Sequence, residues 1–146
     1  MKKSPRNKTI DTGISEGREY LEKCLKLEDI EAGQTDLTDC IVCADMFDVC
    51  RLIPAESADL MILDPPYNLT KDYDSESFLK RKPQEYEECV KKWLDATKHI
   101  LKKGGTVYVC SDWESSLIIG RVLSEYYTVR NRITWQREKG RGARAN

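Results

Sequence analysis

Leu60-Met61-Ile62-Leu63-Asp64-Pro65-Pro66-Tyr67-Asn68 is the stretch on which the fold turns. Four apolar residues run without a break and stop at a carboxylate and two prolines. A short apolar run bounded by turn residues predicts a strand buried on both faces, as inside a parallel sheet. Neither proline can donate to a ladder and each ring fixes φ, so the strand is expected to end at Asp64. Asp64, the proline carbonyls and the Tyr67 ring then stand together at a strand's C-terminal end. In open α/β sheets that edge is where ligands bind.

The chemistry suited to this group is the handling of a planar amine. An exocyclic NH2 on a base is a poor nucleophile, because its lone pair is delocalised into the ring. Two acceptors aimed at its hydrogens, the Asp64 carboxylate and the Pro65 carbonyl, would draw the nitrogen toward tetrahedral geometry and free that lone pair. Tyr67 would stack on the base, which leaves a duplex for such a pocket only by flipping out. The plainer alternative is a strand-to-turn junction in which Asp64 acts as a cap.

Asp64-Pro65-Pro66-Tyr67 resembles the D-P-P-Y motif of S-adenosylmethionine-dependent amino-methyltransferases that act on DNA. The continuation Leu69-Thr70-Lys71-Asp72-Tyr73 is similar to that of the group with permuted motif order, the β class. An Asp-first spelling resembles the N6-adenine enzymes more than the N4-cytosine ones, which tend to begin with serine. The resemblance implies an α/β fold: a partial Rossmann-like methyltransferase sheet, mostly parallel, with flanking helices. It implies catalytic roles for Asp64, Pro65, Pro66 and Tyr67, with S-adenosyl-L-methionine as cofactor and DNA as partner. In the family an acidic residue ending the strand before the catalytic one often accepts from the cofactor's adenine amino group. Asp45 matches that position by spacing, and Asp64 is the second cofactor contact expected. Ala44 stands where many relatives have glycine, and Asp45 also reads as a helix N-cap for Met46 onward.

The remaining properties bound the picture. A chain of 146 residues suits one domain of ordinary size, and 40% hydrophobic residues permit a core. A net charge of −1 means that attraction to nucleic acid must be local. No apolar stretch approaches membrane-spanning length and the first residues lack a signal peptide's apolar segment, so the expected location is the cytoplasm, with no membrane partner. Of six cysteines, Cys40 and Cys43 have C-x-x-C spacing without a second pair, and read as thiols beside a short buried strand rather than as metal ligands.

Taken in order, residues 1–37 form an arm and a packing helix from Ser15 to about Ile30. Residues 38–136 are the catalytic part. It comprises a strand at 40–44, a short helix from Met46 to Ile53, the Asp64 strand and a charged loop from Lys71 to Lys82. A helix from Pro83 to about Lys102 follows, ended by Gly104-Gly105. Then come a buried strand at 106–110, a helix from Trp113 to Tyr127 with Leu117, Ile118, Val122 and Leu123 inward, and a strand from Thr128 to Gln136. Asp112 and Trp113 read as a cap and a core aromatic, or as lining of the base pocket. Residues 137–146 form a basic flexible tail in which Arg137, Lys139, Arg141 and Arg144 are a solvated run or contact phosphate.

The chain has no F-x-G-x-G and no G-x-G-x-x-G loop. In the permuted family that loop lies far downstream, after a target-recognition region. The resemblance, covering about residues 38–146, thus corresponds to the catalytic half of an enzyme, with the cofactor loop expected in a missing C-terminal half or partner chain. The leading expectation is a DNA N6-adenine methyltransferase, of the restriction–modification or orphan kind, present as an incomplete fragment inactive alone. Alternatives are an N4-cytosine or RNA amino-methyltransferase, or a non-catalytic fragment that binds nucleic acid or a partner.

Overall fold

The computed structural model of the chain describes residues 12–31, 36–73 and 76–135. These divide into two units. The first comprises the residues up to Asp64 together with Lys92–Cys110, and the second comprises Pro65–Lys91 together with the residues from Ser111 onward.

In the first unit the expected N-terminal helix is two helices, α1 (Ile14–Lys23) and α2 (Leu27–Glu31). The break has a cause. Leu25 leaves helical geometry to donate its N–H to the Ile41 carbonyl at 2.8 Å and to accept from the Cys43 N–H at 2.9 Å. Asp29 then restarts the helix by accepting the Lys26 N–H at 2.7 Å. The strand expected at 40–44 amounts to one parallel bridge, Leu25 to Val42. Cys43 is exposed and Cys40 half-buried, so the buried thiol of this unit is Cys50, whose pKa burial pushes up. Helix α3 (Met46–Cys50) is shorter than expected, because Leu52 and Ile53 close turns back onto Val49 and Cys50.

Strand β1 (Ala58–Leu63) pairs in parallel with β4 (Leu101–Val109) from Leu60↔Thr106 to Leu63↔Val109. Below that register, two steps on β1, Ala58 to Leu60, match five on β4, Leu101 to Thr106. The two glycines expected to end a helix make this bulge instead. Gly104 has φ +82, and a Cβ on Gly105 would lie 2.9 Å from the Leu101 side chain. Burial on both faces is not what β1 shows. Met61 is buried, but Leu60 is 52% and Ile62 65% exposed, with Tyr108 of β4 exposed on the same alternation. Described residues cover one face of this two-stranded ladder and leave the other open.

Two strands precede helix α4 (Pro83–Thr97) in the second unit. Where a loop was expected, β2 (Lys71–Tyr73) and β3 (Glu76–Phe78) pair antiparallel as a hairpin. Helix α4 starts in the second unit and ends in the first, burying Tyr86, Val90, Leu94 and Thr97 on one stripe. It stops at Thr97, five residues before the expected end. The Thr97 hydroxyl bonds back to the Trp93 carbonyl, and the Ile100 carbonyl already receives the Ser57 and Ala58 N–H groups. Helix α5 (Trp113–Tyr126) buries Ser115, Ile119 and Val122, a face rotated from the expected one, and Leu117 is exposed. Glu87 pairs with Arg121, and Lys91 with both Glu87 and Glu125, which ties the start of α4 to α5. The strand expected from Thr128 does not form among residues 128–135. Its alternating side chains find no ladder partner there, and Ile133 and Trp135 are exposed.

Parallel strands β1 and β4 joined through α4 make the β-α-β connection from which Rossmann-like sheets are built. The fold is α/β, a partial Rossmann-like sheet with helices, as expected. No helix among the described residues is long and apolar enough to cross a membrane.

Candidate functional site

The ladder holds β1 up to its last residue, since the Leu63 carbonyl accepts the Cys110 N–H at 2.8 Å. Asp64 follows as an exposed carboxylate that closes the first unit, and Pro65 opens the second.

From Pro66 onward the turn is held by side chains far away in sequence. The Leu69 N–H donates to the Tyr67 carbonyl at 2.7 Å, which folds the backbone tightly at Asn68. The Asn68 carboxamide pairs with the backbone of Arg81, its Nδ2 donating at 2.9 Å and its Oδ1 accepting at 2.7 Å. Its own N–H donates to Ser115 Oγ at 3.0 Å. The Tyr86 hydroxyl donates to the Pro66 carbonyl at 3.1 Å. No hydrogen bond among the described residues reaches the Pro65 carbonyl. Of the two proline carbonyls, that of Pro66 is the one tied back.

Ser115 and Tyr86, at 1% and 2% exposure, are the best-buried polar groups of this turn. Ser115 is the third residue of α5 and its N–H donates to the Asp112 carboxylate at 2.6 Å, so Asp112 is the helix cap. Burial raises the Tyr86 pKa above its ordinary value; a hydrogen bond with Ser115 works against this, and Asp112 and Cys89 add to it. The phenol is therefore a neutral donor throughout the physiological range.

Neither residue stood out in the sequence as functional. Tyr86 falls inside the helix expected from Pro83, and Ser115 inside the one expected from Trp113. The available signal was a serine at i relative to Ile119 (i+4) and Val122 (i+7), a polar group on a buried stripe.

The other expected residues fall elsewhere. Asp45 caps α3, its Oδ1 accepting from the Phe47 N–H at 2.8 Å. Trp113 is not a core aromatic; it is 62% exposed, with the Arg132 guanidinium 4.1 Å from its ring centroid. Arg137, Lys139, Arg141 and Arg144 lie outside the described residues. For an adenosyl cofactor the described residues offer the Asp45 and Asp64 carboxylates. They offer no glycine-lined backbone cradle, because Gly104 and Gly105 are spent on the β4 bulge. That donor set does not by itself make a cofactor site.

Comparison with known proteins bears on the same residues. The N6/N4 methyltransferase family model, described as DNA methylase, matches residues 58–146. "Type II methyltransferase M.HpaI" of Haemophilus parainfluenzae is 31% identical over 110 residues, covering 70% of this chain and 33% of that protein. "DNA adenine methyltransferase YhdJ" of Escherichia coli is 30% identical over 97 residues, covering 65% and 32%. "Type II methyltransferase M.BamHI" of Bacillus amyloliquefaciens is 29% identical over 90 residues, covering 62% and 21%. The chain thus matches between a fifth and a third of the length of these three relatives.

Proposed function

This chain belongs to the N6/N4 methyltransferase family of DNA methylases, and from that premise we propose that it supplies the catalytic turn of a DNA adenine-N6 methyltransferase. The observation that carries the reading is the turn itself. A carboxylate ends a parallel strand, the next carbonyl is left open, and the following carbonyl and amide are anchored by buried hydroxyls. Asp64 and the Pro65 carbonyl accept the two hydrogens of the amine and hold its lone pair toward the methyl donor. Pro66 keeps the turn rigid. Tyr67 stacks on the flipped base. Asp-first spelling and similarity to a protein named as a DNA adenine methyltransferase favour adenine over cytosine.

S-adenosyl-L-methionine is the proposed methyl donor, and it supplies an electrophilic methyl group. Asp45 and Asp64 would contribute contacts to it. The rest of its site comes from a second part of the methyltransferase, in the same polypeptide or a partner chain.

Asp64→Ala in the full-length gene product tests the reading. Methylation should fall by about 10²–10⁴-fold, with DNA affinity within about twofold, because Asp64 acts on the amine and not on phosphate. Near-normal methylation by this variant would sink the mechanism. The basic tail is proposed to hold DNA backbone, so replacing Arg141 and Arg144 with alanine should reduce the slope of log affinity against log salt by about 2. An unchanged slope would leave the tail as solvated surface.

A further inference from the structure

Two buried hydroxyls from different helices meet the turn, one on each side of Tyr67. The Tyr86 phenol donates to the Pro66 carbonyl at 3.1 Å. Ser115 Oγ accepts the Asn68 N–H at 3.0 Å.

We infer that Tyr86 and Ser115 are positioning residues of the methyl-transfer reaction, holding the turn on both sides of Tyr67 so that the Pro65 carbonyl is set for the substrate amine. The inference rests on the proposed methyltransferase reading. Three features make the two tethers more than packing. Both hydroxyls are almost wholly shielded from water, so a turn that shifted would leave a buried polar group unpaired. The two anchored groups, the Pro66 carbonyl and the Asn68 amide, lie one on each side of Tyr67. The Tyr86 tether also selects between two consecutive carbonyls: by engaging that of Pro66 it leaves that of Pro65 for substrate. Alignment of this kind acts on the reacting geometry and not on the affinity for DNA.

Single-turnover methylation by the full-length gene product tests this, with Tyr86→Phe, Ser115→Ala, the double variant and Asp64→Ala measured side by side. The expected result is a rate constant lowered about tenfold in each single variant, with DNA affinity unchanged. The double variant should be no slower than the slower single one, because both release the same turn. Ser115→Thr, which keeps a hydroxyl, should recover more of the rate than Ser115→Ala. Tyr86→Phe keeps the buried ring, so it decides the matter alone should Ser115→Ala fail to fold. Wild-type rates in Tyr86→Phe, or losses that multiply in the double variant, would overturn the inference while a dead Asp64→Ala left the catalytic assignment standing. An active Asp64→Ala would overturn that assignment, and this inference with it.

Discussion

Strand β1 and the turn that follows it are held in opposite ways. The strand is placed by its backbone. Its register with β4 runs unbroken from Leu60 to Leu63, while one side of it, Leu60 and Ile62, faces outward. In the turn, Pro66 and Asn68 are placed by side chains of α4 and of the start of α5, and the Asn68 carboxamide by the Arg81 backbone. The strand can therefore vary on its open side without moving Asp64. A shift of the turn takes the partner from the buried Tyr86 hydroxyl and from the half-buried Asn68 amide.

That contrast can be broken or sharpened by measurement. The largest effect on stability should come from Met61→Ala, since Met61 is the β1 side chain that is 8% exposed. Denaturant unfolding should show a loss of about 2–5 kcal/mol. Ser115→Ala should come next, at about 1–3 kcal/mol, because it strips the partner from the half-buried Asn68 N–H at a site where Ser115 itself is 1% exposed. A loss below about 0.5 kcal/mol would mean that the turn does not depend on its anchor.

The ion pairs joining α4 and α5 should contribute less, and they make it pH-dependent. Burial raises the Glu87 pKa, but hydrogen bonds from Arg121 and Lys91 outweigh it, and the net shift is below the ordinary 4.5. Its stabilisation is present above that value and lost as pH falls through the lowered one. Lys91 is shifted above 10.5 by Glu125 and Glu87, against a smaller cost of burial. Its stabilisation is present below 10.5 and lost as pH rises through the raised value. Glu87→Gln should flatten the acid limb of a stability–pH curve, and added salt should weaken both limbs, because Arg121 and Lys91 reach into solvent. The smallest effect belongs to Ile62→Thr, within about 0.5 kcal/mol, since the residue is 65% exposed and threonine keeps the β-branch. A large loss there would mean that the open side of β1 is covered in solution.

Local pattern made several elements readable. The Asp64 strand, the start of α4 at Pro83 and the caps Asp45 and Asp112 are written in four or five adjacent residues each, and the structure has them. Other expectations failed where a distant residue decided. Alternation from Thr128 onward looked like a strand, but a strand needs a partner to donate and accept, and none is present among the described residues. Gly104-Gly105 looked like a helix stop, yet the helix had already turned at Thr97 and the glycines were needed where β4 bulges against β1.

By itself the sequence determined the α/β class, the strand that delivers Asp64 and the Asp-Pro-Pro-Tyr spelling that ends it, because these follow from apolar runs and from the covalent limits of proline. Only the tertiary structure decided which side of β1 is covered, which proline carbonyl is tied back, and that Tyr86 and Ser115 do the tying. Those outcomes depend on burial and on hydrogen bonds between residues 20 and 47 positions apart in the chain, and no local pattern encodes them.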